Sequence, residues 1–167
     1  RRINAYQHKI SDKIFFSLAD GFFVVSTYLN EKIKRLSKGQ PVLSLPLVAT
    51  INKTISEFQE PFHPCCAYVG SLIPDEGIEM MIEAVAEIRS KYPELVVDIY
   101  GGFNNKEYNN TILNLLKRLK VEKHFKFKGN VPSDKIVEIL SKYTLLLLPR
   151  PDTVISRAGF PGKLAEY

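Results

Sequence analysis

The chain of 167 residues has room for one domain, or one and a fraction. With 45% hydrophobic and 25% charged residues it is neither a disordered tail nor a fibrous chain, and no apolar run approaches the roughly 18 residues of a membrane-spanning helix. Its two cysteines, adjacent at Cys65 and Cys66, exclude a disulfide scaffold, and the net charge of +5 speaks to steering and solubility rather than to fold.

From the start of the chain, Ile3, Tyr6, Ile10, Ile14 and Leu18 fall on one helical stripe that Gly21 is expected to end, before an apolar strand at Phe22–Val25. A second helix is expected from about Thr27 to Leu36, closed by Lys38-Gly39. The stretch from Gln40 to Pro64 holds four prolines, with the extended run Val42–Val48 inside it, and reads as a connector. Beyond it, apolar runs at Ala67–Val69, Leu95–Tyr100, Phe125–Phe127 and Leu145–Leu148 alternate with segments of helical period. Those segments are Ile78, Met81, Ile82, Val85 and Ile88; Ile112, Leu115, Leu116 and Leu119; and Ile136, Ile139, Leu140 and Tyr143. Asn105 and Ser133 are candidate N-caps. Strand, helix, strand at this spacing predicts βαβ units and a Rossmann-like, doubly wound parallel sheet of the α/β class. The expected organisation is therefore residues 1–40, a linker over 41–64, and a second domain over 65–167. The chain opens on Arg1-Arg2 without Met, and the helix expected from Pro161 has barely completed a turn at Tyr167. Both ends read as cuts in a longer protein, with Leu and Phe side chains left exposed for self-association.

Doubly wound sheets bind ligands where loops leave the carboxyl ends of strands. Three such loops stand out: Gly70-Ser71-Leu72-Ile73-Pro74-Asp75-Glu76-Gly77, Gly101-Gly102-Phe103-Asn104-Asn105, and Arg150 through Pro161. Their glycines allow close backbone approach to a ligand, although strand-to-helix turns use glycine in any case. No G-x-G-x-x-G follows a strand and no P-loop is present. His8, His63 and His124 lie far apart, read as surface or connector histidines, and show no zinc spacing. Cys65-Cys66 reads as small apolar packing. The basic run Lys117, Arg118, Lys120, Lys123, Lys126 and Lys128 reads as a solvated face, since it lacks the interleaved aromatics of nucleic-acid sites.

Five segments in order then carry a resemblance. Val24-Val25-Ser26-Thr27-Tyr28-Leu29 looks like the "vvS..l" element that closes the first domain of the retaining, nucleotide-sugar-dependent glycosyltransferases of family 4, which have the GT-B fold. Tyr68-Val69-Gly70-Ser71-Leu72 with Glu76-Gly77 resembles the opening of their second domain, and Asp98-Ile99-Tyr100-Gly101-Gly102 resembles their "l.i.G.G" strand end. Phe125–Val131 is similar to "v.f.G.v", and Leu147-Leu148-Pro149 with Gly159–Tyr167 to "l.Ps...gfP.KllEy". The resemblance implies the end of an acceptor domain followed by an incomplete donor-binding domain. It implies a donor diphosphate against the Gly70 loop, with Ser71, and against the helix starting near Pro161, with Lys163 close to that helix's N-terminus, and it counts Gly101 and Gly102 among the donor-binding residues. It implies a base at Asn130-Val131 and a ribose hydrogen-bonded by Glu166. No cofactor or metal is implied. The donor is a UDP- or GDP-linked sugar as substrate, and the acceptor a sugar or glycolipid in polysaccharide, lipopolysaccharide or glycolipid synthesis. The implied location is the cytoplasm, with peripheral association at the inner face of the membrane. Nucleic acid is not an expected partner, and the catalytic residue is expected in the absent part of the acceptor domain.

Three positions depart from the family pattern. Ser71 stands where Arg is usual, Glu76 where Lys is usual, and Ala158 where the first glutamate of a pair is usual. Lys163, Arg150 and Arg157 are the candidates for replacing the lost positive charge. The departures keep a second expectation open, a non-catalytic homologue that binds nucleotide or a partner protein. A third, a basic RNA-binding α/β domain, ranks below both.

Overall fold

The structure, a computed structural model, describes residues 14–45 and 65–167, apart from the side chains of Ala165 and Glu166. The described residues form two compact units. One takes those before residue 48 together with Thr153–Phe160, the other those from 65 to Asp152 together with Pro161–Tyr167.

In the first unit a helical turn at residues 14–18 precedes strand β1 (Phe22–Val24), helix α1 (Thr27–Leu36) and strand β2 (Val42–Ser44). The helical residues stop short of Gly21, contrary to the expectation that Gly21 caps them. A Cβ at Gly21 would instead meet the Pro41 ring at 3.1 Å, so the glycine serves the close approach of β1 to the segment before β2. Ile3, Tyr6 and Ile10 lie outside the described residues. Val42–Ser44, inside the expected connector, pairs in parallel with β1, Phe22 opposite Val42. Ser26 caps α1 by accepting from the Leu29 amide at 3.2 Å. Its hydroxyl also donates to the Ala158 carbonyl at 2.9 Å, joining α1 to a short helix, Val154–Ala158.

The second unit is a four-stranded parallel sheet: β3 (Cys65–Val69), β4 (Val96–Tyr100), β5 (Phe125–Gly129) and β6 (Leu145–Leu146), in the order β5-β4-β3-β6. Helices α2 (Ile78–Ile88) and α3 (Lys106–Leu119) pack Ile78, Ile82, Ile112 and Leu116 onto the sheet face that presents Cys66, Tyr68, Val97 and Ile99. Helix α4 (Ser133–Leu140) covers the opposite face, where Ala67 and Val69 meet Ile136 and Leu140. This is the doubly wound arrangement the sequence predicts. The direction of strand order reverses between β5 and β6, so the crossover through α4 falls on the other face.

Local chemistry explains the boundaries. Asn105 Oδ1 accepts from the amides of Glu107 and Tyr108 at 2.7 and 3.3 Å and starts α3, a cap worth about 1 kcal/mol. Ser133 is the first residue of α4 rather than its cap. Pro132, held extended at φ −60° and ψ 141°, takes the cap position because its ring already sets the φ a helix entry needs. The last helix spans Lys163–Glu166, two residues later than a start at Pro161. The Pro161 carbonyl accepts the Leu164 amide at 2.9 Å, so Pro161 shapes the turn that leads in. His124 is no surface histidine. It is 1% exposed, with Nδ1 2.8 Å from the Leu95 carbonyl, because the 3₁₀ turn Glu122–His124 points it inward, toward the residue that precedes β4. His8 and His63 lie outside the described residues. Among the described residues no helix is long and apolar enough to cross a membrane.

Candidate functional site

The carboxyl ends of β3, β4 and β5 carry the glycine loops, and backbone hydrogen bonds join them. The Gly70 amide donates to the Tyr100 carbonyl at 2.9 Å, the Leu72 amide to Gly102 at 3.1 Å, and the Gly101 amide to Gly129 at 2.8 Å. Leu72 and Phe103 add one further parallel bridge beyond the regular strands. The sheet thus extends past its strands, and this brings the loops close together. Gly101, at φ 135°, shows why the residue type matters: a Cβ there would collide with the Gly70 carbonyl oxygen.

Between these loops lies a crevice of about 330 Å³, at the small end of the roughly 300–1,000 Å³ typical of ligand sites. Gly70 and Ser71 wall one side, Gly101, Gly102, Phe103 and Asn104 another, and Asn130, Val131 and Ile136 a third. The Asn130 amide group lies over Gly102, whose added Cβ would sit 3.4 Å from Oδ1. Six residues singled out in the sequence, Gly70, Ser71, Gly101, Gly102, Asn130 and Val131, therefore line one cavity. The crevice offers the Asn130 amide side chain and the exposed Ser71 hydroxyl, a donor and acceptor set suited to a nucleoside.

Lys163 also comes to this loop, in an arrangement the sequence did not foretell. Its Nζ lies 2.5 Å from Glu76 Oε2 and 3.1 Å from the Tyr68 hydroxyl, 4.5 Å from the centre of the Tyr68 ring. The single Tyr68 O–H has two acceptors within reach, the Ser71 carbonyl at 3.1 Å and Glu76 Oε2 at 3.3 Å. The Lys163 and Glu76 side chains are only 13% and 17% exposed. Burial, reinforced by the Glu76 carboxylate, pushes the Tyr68 phenol far above its ordinary value, so it is a donor at every physiological pH. Pro161 stands just before this helix, and the Glu166 side chain falls outside the described ones. Arg150 follows β6 with a buried Nε that has no hydrogen-bond partner, whereas Arg157 belongs to the first unit.

The other candidates are structural. Cys66 is buried, and burial followed by the neighbouring Cys65 raises its thiol pKa, which argues against a nucleophile. Lys117, Arg118, Lys120, Lys123, Lys126 and Lys128 are exposed, and Lys128 reaches Asp98 at 3.3 Å. Among the described residues no three His, Cys, Asp or Glu side chains gather as a metal would need. A larger cavity of about 560 Å³ opens beside α2 and β6, lined by Met81, Val85, Leu145, Leu147 and Leu148, with little polar chemistry to orient a ligand.

Comparison with known proteins bears on the same segment. Residues 54–167 match the family "Glycosyl transferases group 1". The chain is 26% identical, over 96% of its length, to the UDP-N-acetylglucosamine--peptide N-acetylglucosaminyltransferase GtfA subunit of Streptococcus pneumoniae serotype 4 (strain ATCC BAA-334 / TIGR4). It spans 30% of that relative's length. Among solved structures, the pneumococcal O-GlcNAc transferase GtfA in complex with UDP and GlcNAc superposes with a TM-score of 0.61 at 21% identity, covering 80% of this chain and 26% of that one. TarM gives 0.68 at 14% identity, covering 84% of this chain and 27% of that one. Sucrose-phosphate synthase from Thermosynechococcus elongatus gives 0.66 at 19%, covering 88% and 40%. At such identities the superpositions speak for the fold, a Rossmann-like half of the GT-B architecture. With more than half of its residues matching the family, the chain belongs to the group 1 glycosyl transferases.

Proposed function

We propose that the crevice binds the nucleoside of a nucleotide-sugar donor, that the Gly70 loop and Lys163 receive its diphosphate, and that the protein transfers the sugar with retention, as in family 4. The supporting observation is the convergence of Gly70, Ser71, Gly101, Gly102, Asn130 and Val131, from three separate loops, on one cavity. A UDP- or GDP-linked sugar fits the polar lining, and Glu166 is assigned the ribose. The acceptor is a sugar or glycolipid of an envelope polysaccharide, lipopolysaccharide or related glycolipid, met at the membrane surface. The group that handles the acceptor proton belongs to a part of the protein beyond these residues. This chain by itself is therefore expected to bind donor and to transfer nothing.

One observation favours a second reading, a homologue that binds nucleotide without catalysis. Lys163 is already neutralised by Glu76, and Ser71 brings no charge. Saturation-transfer NMR against uridine, guanosine and adenosine diphosphate sugars tests the donor assignment. Saturation transfer to the base and ribose protons of one of them is expected. No transfer to any would remove the crevice as a donor site, and turnover by the chain alone would show the catalytic group to be misplaced.

A further inference from the structure

The donor reading has to meet an arrangement it does not explain. A phosphate lying against the Gly70 backbone would need the space above its α-carbon, where only a glycine leaves room. That space is taken. A Cβ built on Gly70 would sit 2.5 Å from Lys163 Nζ and 2.8 Å from the Tyr68 hydroxyl. The ammonium is held there from three directions, by Glu76 Oε2, by the Tyr68 oxygen and by the Tyr68 ring face. Glu76 is itself well placed to hold it. It ends the 3₁₀ turn Pro74–Glu76, its amide donates to the Ile73 carbonyl at 3.1 Å, and Gly77 follows at φ 75° as the turn enters α2.

We propose that Glu76 is an internal counter-anion: its carboxylate occupies, on Lys163, the position of a donor phosphate, and donor binding proceeds by exchange of the one for the other. The inference rests on the donor reading above and adds a residue that sets affinity and charge selectivity. An incoming diphosphate finds Lys163 paired and a carboxylate beside it. Both side chains are largely withdrawn from water, where the attraction and the repulsion are less screened than at an open surface. Every phosphate charge on the ligand therefore works against Glu76, while the nucleoside, lodged between the Gly101 loop and Asn130, does not feel it. Tyr68 is positioned to persist through the exchange. Its hydroxyl retains the Ser71 carbonyl as acceptor after Glu76 leaves, and its ring keeps Lys163 from swinging into solvent.

The test is calorimetry of uridine, UMP and UDP on the wild-type protein, Glu76→Gln and Glu76→Asp. Gln retains the size and an acceptor oxygen for Lys163 while removing the charge. Glu76→Gln is expected to bind UDP about tenfold more tightly, UMP with a smaller gain, and uridine unchanged, because the relieved repulsion scales with ligand charge. Glu76→Asp, which keeps the charge, is expected to stay within about twofold of wild type for UDP. A Glu76→Gln protein that binds uridine as before but UDP no better, or worse, would overturn the inference and make Glu76 a mere support for Lys163. Failure of uridine and UDP to bind any form would overturn the donor reading and this inference with it. On unmodified protein, saturating UDP should move the side-chain NMR signals of Lys163 Nζ and the Glu76 carboxyl carbon, and uridine should not. Signals that stay in place under bound UDP would also overturn it.

Discussion

The two sides of the Gly70 loop differ in kind. Toward Gly101, Gly102 and Asn130 the loop faces open space walled by backbone, built by hydrogen bonds that continue the sheet beyond its strands. Toward Glu76 and Lys163 the loop faces a closed knot of side chains, a partly buried ion pair resting on Tyr68. Of the departures from the resembled family, Ser71 lines the first side as an uncharged wall residue, and Glu76 stands in the second. A cavity made by backbone depends on glycines and tolerates little change, whereas a charge cluster can be rewritten residue by residue while the fold stays as it is.

The most severe way to break this contrast is Gly101→Val. Its side chain would meet the Gly70 carbonyl at a φ that favours glycine, and the cost should exceed about 3 kcal/mol. Urea denaturation should show it as a large fall in midpoint, with the crevice lost. A near-wild-type midpoint would mean the two loops are not locked together. Next in size is Lys163→Met on the closed side. It leaves the Glu76 carboxylate, 17% exposed, without its cation, and a loss of about 1–3 kcal/mol is expected together with weaker UDP binding. Unchanged uridine binding in that variant would sharpen the contrast, since it separates the two sides by ligand.

Away from the loop, Tyr143 supplies a control on buried carboxylates. Its hydroxyl donates to Asp98 Oδ2 at 2.6 Å and shares a 2.6 Å bond with Tyr100, while Lys128 lies 3.3 Å from the same Asp98 oxygen. Tyr143→Phe should cost about 1–2 kcal/mol in urea denaturation without touching nucleotide affinity. Burial, then the bond to Asp98, raises the Tyr143 phenol far above its ordinary value near 10. A raised phenol contributes stability that is complete below pH 10 and is lost as the pH climbs above it, because the unfolded chain then releases a proton the folded one retains. Ultraviolet titration should therefore show Tyr68, Tyr108 and Tyr143 ionising only with unfolding. The alkaline loss should be shallower by one proton in Tyr143→Phe. The smallest effect belongs to Asn105→Ala, about 1 kcal/mol from the lost cap of α3, with nucleotide binding intact.

Much of the open side was legible in the sequence. Helical periods at Ile78–Ile88 and Ile112–Leu119 fixed where the crossovers run, and a parallel sheet then dictates that Gly70, Gly101 and Asn130 emerge at one edge. The closed side was not legible, because Glu76 and Lys163 are 87 residues apart and neither side chain advertises its partner. His124 was misread for a similar reason. A lone histidine in a basic run looks solvated until the turn before β5 is known to point it inward. The helix Val154–Ala158 is too short to show a period. Its one signal was Thr153, whose hydroxyl accepts the Ser156 amide at 3.1 Å as an N-cap does. The Tyr167 hydroxyl, which accepts from the Val69 amide and donates to the Leu147 carbonyl, both at 3.1 Å, gave no sign of that bridging role in the sequence.

The central claim, that the glycine-lined crevice and not the larger apolar cavity receives the nucleotide, is tested most directly by amide NMR during titration with UDP and GDP. The account predicts that Gly70, Gly101, Gly102, Asn130 and Val131 shift together along one saturable curve while Met81, Val85 and Leu147 stay still. Shifts confined to the apolar cavity, or saturation with the glycine amides unmoved, would contradict it.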